Sequence, residues 1–400
     1  MNKTKDAQDA LLITVTGKDQ PGISARMASC LHKAGAELLE VEQVVVYGRL
    51  IMHWLIGLDG AEVSDVLKEL LWEAKSLGVD LDFQVMEGSG KASKKQSQRW
   101  AVTLVAPRLG ADVIMAAATA AADHGFNIDR IETLGNAALS SIELLLSGDE
   151  DADPRALKDA LLSAEAALPV DIALQRESLL RRSKRLVVMD MDSTLIQQEV
   201  IDEIARIHGV YDEVAGVTER AMRGEIPFTS ALDERVKLLK GAPESVFEQV
   251  LEKIELTPGA EHFVQVLQGL GYKTAVVSGG FIQVAGPLAQ RLGLDYAFAN
   301  QLEVVEGKLT GKLVGPVVDK QRKGDLLESM AQAERISIEQ VIAIGDGAND
   351  LEMLGRAGLG IAFNAKKVVQ EQADTAINQH DLSAVLYLLG IRDSDVQAVA

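Results

Sequence analysis

Asp190 and Asp192 stand one residue apart where an apolar run, Leu186-Val-Val-Met-Asp, breaks into Met191-Asp-Ser-Thr194. A short run of this kind suits a central parallel strand, and open α/β sheets bind ligands at the carboxyl ends of such strands. Carboxylates placed there are costly to leave bare, so the pair calls for a cation or hydrogen-bond donors. Mg2+ would meet that need and leave one carboxylate free to attack phosphorus. Taken alone, Asp-x-Asp reads equally well as a helix cap or a turn.

Two further strand ends carry compatible chemistry. Residues 273–277 (Lys-Thr-Ala-Val-Val) break into Ser278-Gly279-Gly280, and residues 341–344 break into Gly345-Asp-Gly-Ala-Asn-Asp350. Between them Lys323-Gly324 opens a helical segment. Asp, Ser-Gly, Lys and Asp-Asp in that order resemble the four motifs of the haloacid dehalogenase (HAD) superfamily of phosphotransferases. The resemblance implies that Asp190 is the nucleophile and Asp192 the proton donor, then the base that activates water. By the period of a strand, Asp192 is expected on the same face as Asp190. Mg2+ would sit between Asp190, Asp346 and the backbone carbonyl of Asp192, with Asp350 supporting it through waters. Ser278 and the Gly279 amide would hold phosphate oxygens, and Lys323 would neutralise charge on the transferring group.

Residues 199–254 interrupt the strand pattern with helix formers and charge, where this superfamily carries a helical cap that closes over the site. Glu199, Met222, Phe228 and Arg235 in this insert closely resemble the substrate-recognition set of the phosphoserine phosphatase family. That likeness implies Glu199 on a substrate ammonium, Arg235 on its carboxylate, Met222 and Phe228 as an apolar wall, and Asn349 on substrate or phosphate. The physics agrees, since a guanidinium makes a bidentate fork to a carboxylate and a glutamate partners an ammonium. The implied reaction is Mg2+-dependent hydrolysis of O-phospho-L-serine, the last step of serine biosynthesis. Other phosphorylated amino acids or a phosphoprotein remain as alternative substrates, and a regulatory protein with a vestigial phosphatase is the alternative of another class.

The region before the aspartates reads as two copies of β-α-β-β-α-β, the ferredoxin-like arrangement, over residues 10–87 and 99–177. The polar, Gly/Ser/Lys-rich residues 88–98 read as a flexible linker. The first copy resembles the ACT family of amino-acid-binding modules through Thr16-Gly-Lys-Asp-Gln-Pro-Gly-Ile23. In that loop Gly17, Asp19 and Gly22 are the candidate effector-binding residues, with serine as the expected ligand and feedback as the consequence. The second copy has Ala106-Pro-Arg-Leu-Gly110 at the equivalent loop, which makes a structural or dimer-forming role the better expectation there.

The expected architecture is therefore α/β: a HAD-like doubly wound parallel sheet over residues 185–400 with a helical cap, preceded by two ACT-type domains. Four hundred residues are too many for one ordinary core, which agrees with this division. A net charge of −19 argues against nucleic acid or an anionic membrane as partner. The basic run Arg181-Arg-Ser-Lys-Arg185 reads as a solvated linker or helix end. A single cysteine, Cys30, excludes an intramolecular disulfide and is expected on the buried face of a helix. With neither a signal-like nor a membrane-length apolar stretch, the chain reads as cytoplasmic, and the ACT pair makes a homodimer the expected state.

Overall fold

A computed structural model describes residues 10–57, 63–86, 98–137, 139–149 and 151–399. The linker read over 88–98 lies, except for Gln98, outside the described residues. One compact unit ends at Gln96 and a second begins at Ser97.

The first unit runs β1 (Ala10–Lys18), α1 (Ile23–Lys33), β2 (Glu37–Val46), β3 (Arg49–Gly57), α2 (Val63–Leu77) and β4 (Val79–Met86). Its antiparallel sheet has the order β2-β3-β1-β4. Along β1, buried Leu11, Ile13 and Val15 alternate with half-buried Leu12, Thr14 and Thr16. One sheet face is therefore covered by the helices and the other is open. Cys30 lies on the buried face of α1 with Met27, against Leu70 and Ala74 of α2.

The second unit opens with the same plan: β5 (Gln98–Ala106), α3 (Ala111–Asp123), β6 (Phe126–Asn136), β7 (Ser140–Gly148), α4 (Pro154–Ala167) and β8 (Asp171–Arg176), in the order β6-β7-β5-β8. Here the central strand does not alternate, and every residue from 101 to 106 is buried. Val102 and Leu104 pack under α3 and α4. Val105 faces the other way, with Ala173, Leu134 and Leu139, into the core of the region that follows. Asp171 fastens this face by accepting the Asn378 and Gln379 backbone N–H groups at 2.9 and 3.1 Å.

The basic run is part of that junction. Arg181 and Lys184 are buried, which corrects the expected solvated linker. Arg181 pairs with Glu143 of β7 and with Glu177, and Lys184 donates to the Glu339 carbonyl. A buried guanidinium is tolerable only with such partners. They come from a sheet face that local sequence does not announce.

From residue 186 the chain forms β9 (Leu186–Met189), a helical insert α5 (Val200–His208), α6 (Tyr211–Met222), α7 (Phe228–Leu238) and α8 (Val246–Lys253), then α9 (Ala260–Gly269) and β10 (Lys273–Phe281). It continues through α10 (Ile282–Leu292), β11 (Tyr296–Val305), β12 (Lys308–Val314), α11 (Lys320–Ala333), β13 (Val341–Gly345), α12 (Leu351–Arg356) and β14 (Leu359–Phe363). The last elements are α13 (Lys367–Gln370), β15 (Thr375–Ile377), α14 (Ala384–Leu388) and α15 (Asp393–Val399). The seven-stranded sheet has the order β12-β11-β10-β9-β13-β14-β15. Its pairings are parallel except for the β11–β12 hairpin at one edge, which the sequence reading did not include. β9 is flanked by β10 and β13, with Met189 opposite Val276 on one side and Ile344 on the other. The carboxyl ends that carry Asp190, Ser278 and Asp346 are thus neighbours. Among the described residues no helix is long and apolar enough to cross a membrane.

Candidate active site

Asp190 follows the last residue of β9 and is 4 % exposed. Its backbone N–H donates to the Ile344 carbonyl, which extends the β9–β13 ladder by one residue. Its Oδ1 accepts from the Met191 N–H at 2.8 Å and from Lys323 Nζ at 2.7 Å. Both donors fall on one oxygen, which leaves Oδ2 as the oxygen available for chemistry.

Asp192 is not on a strand. Residues 191–195 form a tight helical turn in which Ser193 takes φ 57°, so the expected strand-period argument does not hold. The turn aims Asp192 instead: Oδ1 accepts from the Val200 N–H at the start of α5, 3.0 Å, and Oδ2 accepts from Ser278 Oγ, 3.3 Å. Such a backbone conformation at a non-glycine residue stores strain of a kind that clusters at functional sites. Burial, followed by the charge of Glu199, pushes the Asp192 carboxyl up to about 7.

β10 runs on to Phe281 with an irregularity between Val277 and Phe281, so Ser278-Gly279-Gly280 is a break in the ladder at the strand's end. Ser278 Oγ accepts from the Gly280 N–H at 2.8 Å, and Asn300 Nδ2 holds the Gly279 carbonyl at 2.7 Å. A Cβ at Gly280 would stand 2.7 Å from Asp192 Oδ2, which explains the glycine.

Lys323, in the first turn of α11, is 0 % exposed and bridges Asp190 to Asp350, with Nζ 2.6 Å from Asp350 Oδ1. Burial alone would lower its pKa, but the two carboxylates outweigh that and hold the ammonium above its ordinary range. Asp346 follows β13 and accepts from Thr194 Oγ1 at 3.3 Å. Burial, then Asp350, pushes its carboxyl up to about 7. Burial and Asp350 likewise hold Asp190 well above the carboxylate range, with Lys323 opposing them.

Oxygens of Asp190, Asp346 and Asp350 lie within 4.8 Å of one another. Three carboxylates against one ammonium leave about two negative charges in a desolvated space. An oxygen-only donor set of that charge fits a hard dication such as Mg2+. The side chain of Asp192 is not part of this cluster and is engaged by the Val200 N–H and Ser278 Oγ.

A cavity of about 950 Å³ opens above this floor, lined by Asp190, Asp192 and Asp346 below and by Glu199 and Arg235 from the insert. Glu199 precedes α5 and accepts from Ser193 Oγ at 3.0 Å. Although solvent reaches the residue, burial of its carboxyl raises the pKa while the Ser193 hydrogen bond acts the other way. Arg235 lies on α7, with Nη1 3.5 Å from Thr218 Oγ1 of α6. Burial lowers its pKa, and Glu199 is the leading charge that opposes this. Asn349 lines the same cavity. The side chains of Met222 and Phe228 lie outside the described residues; their backbones end α6 and start α7.

Sequence reasoning did not single out Ser193, Thr194, Thr218 or Asn300 for a role. Only Thr194, four residues beyond Asp190, had a positional signal. In the first unit, Asp19 is exposed, its N–H donating to the Gly48 carbonyl, and Gly22 takes φ 99° ahead of α1. A Cβ at Gly17 would meet Val79 Cγ1 at 2.6 Å, so the close approach there is to β4.

The family model of haloacid dehalogenase-like hydrolases matches residues 184–358, and ACT-domain models match 9–84 and 98–175. The chain is 44 % identical over 393 residues to the phosphoserine phosphatase of Streptomyces coelicolor, covering 97 % of this chain and 94 % of that relative. It is 40 % identical to the phosphoserine phosphatase of Mycobacterium tuberculosis, covering 98 % and 96 %. The chain belongs to the phosphoserine phosphatase family. Solved structures agree in fold. A HAD family hydrolase from Salmonella enterica serovar Typhi superposes with a TM-score of 0.65 at 30 % identity, over 73 % of this chain and 99 % of that one. A probable phosphoserine phosphatase from Vibrio cholerae gives 0.59 at 36 % identity, over 78 % and 91 %. The similarity to the Streptomyces and Mycobacterium relatives spans both the hydrolase region and the region that precedes it.

Proposed function

We propose that this chain hydrolyses O-phospho-L-serine to L-serine and phosphate through an aspartyl phosphate, with Mg2+ held by Asp190, Asp346 and the Asp192 carbonyl and supported by Asp350. The observation that carries the substrate assignment is a single cavity with Asp190 on its floor and Glu199 and Arg235 on its wall. Asp190 Oδ2 attacks phosphorus while the bond to the serine oxygen breaks, and the Asp192 carboxyl gives its proton to that oxygen. The Asp192 carboxylate then takes a proton from water, which attacks the aspartyl phosphate and frees Asp190 and phosphate. When bound, Mg2+ supplies charge neutralisation at the phosphoryl oxygens. Ser278 and the Gly279 amide hold those oxygens, and Lys323 opposes the burial and the Asp350 charge that disfavour the ionised form of Asp190. Arg235 forks the substrate carboxylate and Glu199 receives its ammonium, so the insert reads the amino acid.

Purified protein should release phosphate from phosphoserine in preference to phosphothreonine and phosphopeptides, and only with Mg2+. Activity undiminished by EDTA would overturn the metal assignment. Arg235→Ala should lose roughly 1.5–3 kcal/mol of carboxylate-dependent binding, about 10- to 150-fold in kcat/KM. Hydrolysis of p-nitrophenyl phosphate, which has no carboxylate, should suffer far less. An equal loss on both substrates would make Arg235 structural.

The loop carrying Gly17, Asp19 and Gly22 is the proposed seat of amino-acid feedback, with serine as effector. A homodimer is part of the same reading. The edge strand β2 is exposed along its length, including Leu38, Val41 and Val44, and supplies a surface for it.

A further inference from the structure

A second cavity, of about 380 Å³, lies at the amino-terminal ends of β9 and β10, the end of these strands opposite the one that carries the active site. Its walls come from Glu132 of β6, Ser183 and Arg185 ahead of β9, Tyr272 ahead of β10, and Arg392 and Asp395 near the chain's end. It therefore sits where the helix-free face of the second ACT-type sheet meets the amino-terminal ends of the two strands that carry Asp190 and Ser278. Its size is in the range of small-molecule sites.

Most charges around it are matched. Glu132 pairs with Arg392, and Glu143 with Arg181 and, at 3.8 Å, with Arg182. Arg182 also reaches Glu177 at 2.9 Å. Lys184, also in the wall, is buried and gives its ammonium to the Glu339 carbonyl, with Asp374 and Glu339 as the carboxylates that support its charge. Two exposed groups of opposite sign are left over. Among the described residues the Arg185 side chain makes no ion pair and no hydrogen bond. The Asp395 carboxylate accepts only the Arg392 backbone N–H, at 2.9 Å, and meets no cation. Ser183 and Tyr272 line the same space, and their hydroxyls make no hydrogen bond among the described residues. Arg185 lies close enough to Tyr272 to oppose the rise that burial imposes on the phenol's pKa.

We infer that this junction cavity binds a small zwitterion of the α-amino-acid class, its carboxylate on Arg185 and its ammonium on Asp395. A monoanion or a monocation would leave one of the two charges unanswered. A carboxylate on a guanidinium is a strong charge-assisted pair, and the two hydroxyls can donate to the same carboxylate. An occupant would bridge the second ACT-type domain to the roots of β9 and β10. The site is separate from the Gly17–Asp19–Gly22 loop and independent of the reading of the active site.

Isothermal titration of the full-length protein with L-serine and with glycine tests this, with propanoate and ethylamine as probes that each lack one charge. One zwitterion-binding event should persist in Asp19→Ala and in Arg235→Ala, which disable the other two candidate amino-acid sites. The same event should weaken at least about tenfold in Arg185→Gln and in Asp395→Asn. Asn keeps an oxygen for the Arg392 N–H, and Arg185 is exposed, so both variants should fold and keep their phosphatase rate without added amino acid. Propanoate and ethylamine should bind at least about tenfold more weakly than glycine. Binding that is unchanged in Arg185→Gln and Asp395→Asn overturns the assignment, as does the absence of any event surviving in Asp19→Ala and Arg235→Ala.

Discussion

Asp190→Asn should lower phosphate release from phosphoserine by at least about 10⁴-fold, with no phosphoenzyme detectable by intact-mass trapping. The substitution is nearly isosteric. An Asn carbonyl at the Oδ1 position can still accept from Met191 N–H and Lys323 Nζ, the two bonds that orient the side chain. What changes is the other atom. Oδ2, free of both donors, becomes an amide nitrogen whose lone pair is delocalised and which cannot attack phosphorus. The fold should tolerate this, because burial and then the Asp350 charge make Asp190 ionise reluctantly, and removing its charge relieves both. A thermal midpoint within a few degrees of the parent would separate lost chemistry from lost structure. Turnover retained within about 100-fold would mean that another group attacks, and Asp192 would then be the first to test.

The strand ends were legible because their signals are local. Short apolar runs ending in Asp190, Ser278 and Asp346 need only a parallel sheet to bring them together, and the order β10-β9-β13 does so. Lys323 was legible only through its place in an ordered set, since a lysine opening a helix is usually exposed. The turn that aims Asp192 was not legible, because nothing in Met-Asp-Ser-Thr announces a serine at φ 57°. Ser193 and Thr218, which touch Glu199 and Arg235, come from neighbouring turns or helices whose facing depends on tertiary packing.

Burial of the Arg181–Lys184 segment was missed for a related reason. A basic run looks solvated unless its partners are known, and Glu143 lies on a strand nearly forty residues earlier. A signal did exist one step away. Trp100-Ala-Val-Thr-Leu-Val-Ala106 lacks the alternation of Leu11-Leu-Ile-Thr-Val-Thr16, and an unbroken run of that kind implies burial on both faces. The face opposite the helices then needs a cover, which the catalytic region provides. Similar sequence plans in the two ACT-type domains thus lead to different surroundings.

Lys323→Met should cost about 3–5 kcal/mol of stability and at least about 10³-fold in turnover. Methionine fills the space of the lysine stem but leaves Asp190 and Asp350 facing each other with no cation between them. In a site that solvent does not reach, that penalty is far larger than at the surface. Two effects are mixed in this variant, and a second substitution separates them. Adding Asp350→Asn removes one of the two stranded carboxylates, so Lys323→Met/Asp350→Asn should recover most of the lost stability, measured by urea denaturation. It should not recover activity, because on the proposed mechanism the ammonium beside Asp190 and one carboxylate supporting the cation would both be gone. Recovery of turnover in the double variant would show that Lys323 serves only to hold the carboxylates together. Recovery of neither would show that the lysine is a packing element of α11 whose charge is incidental.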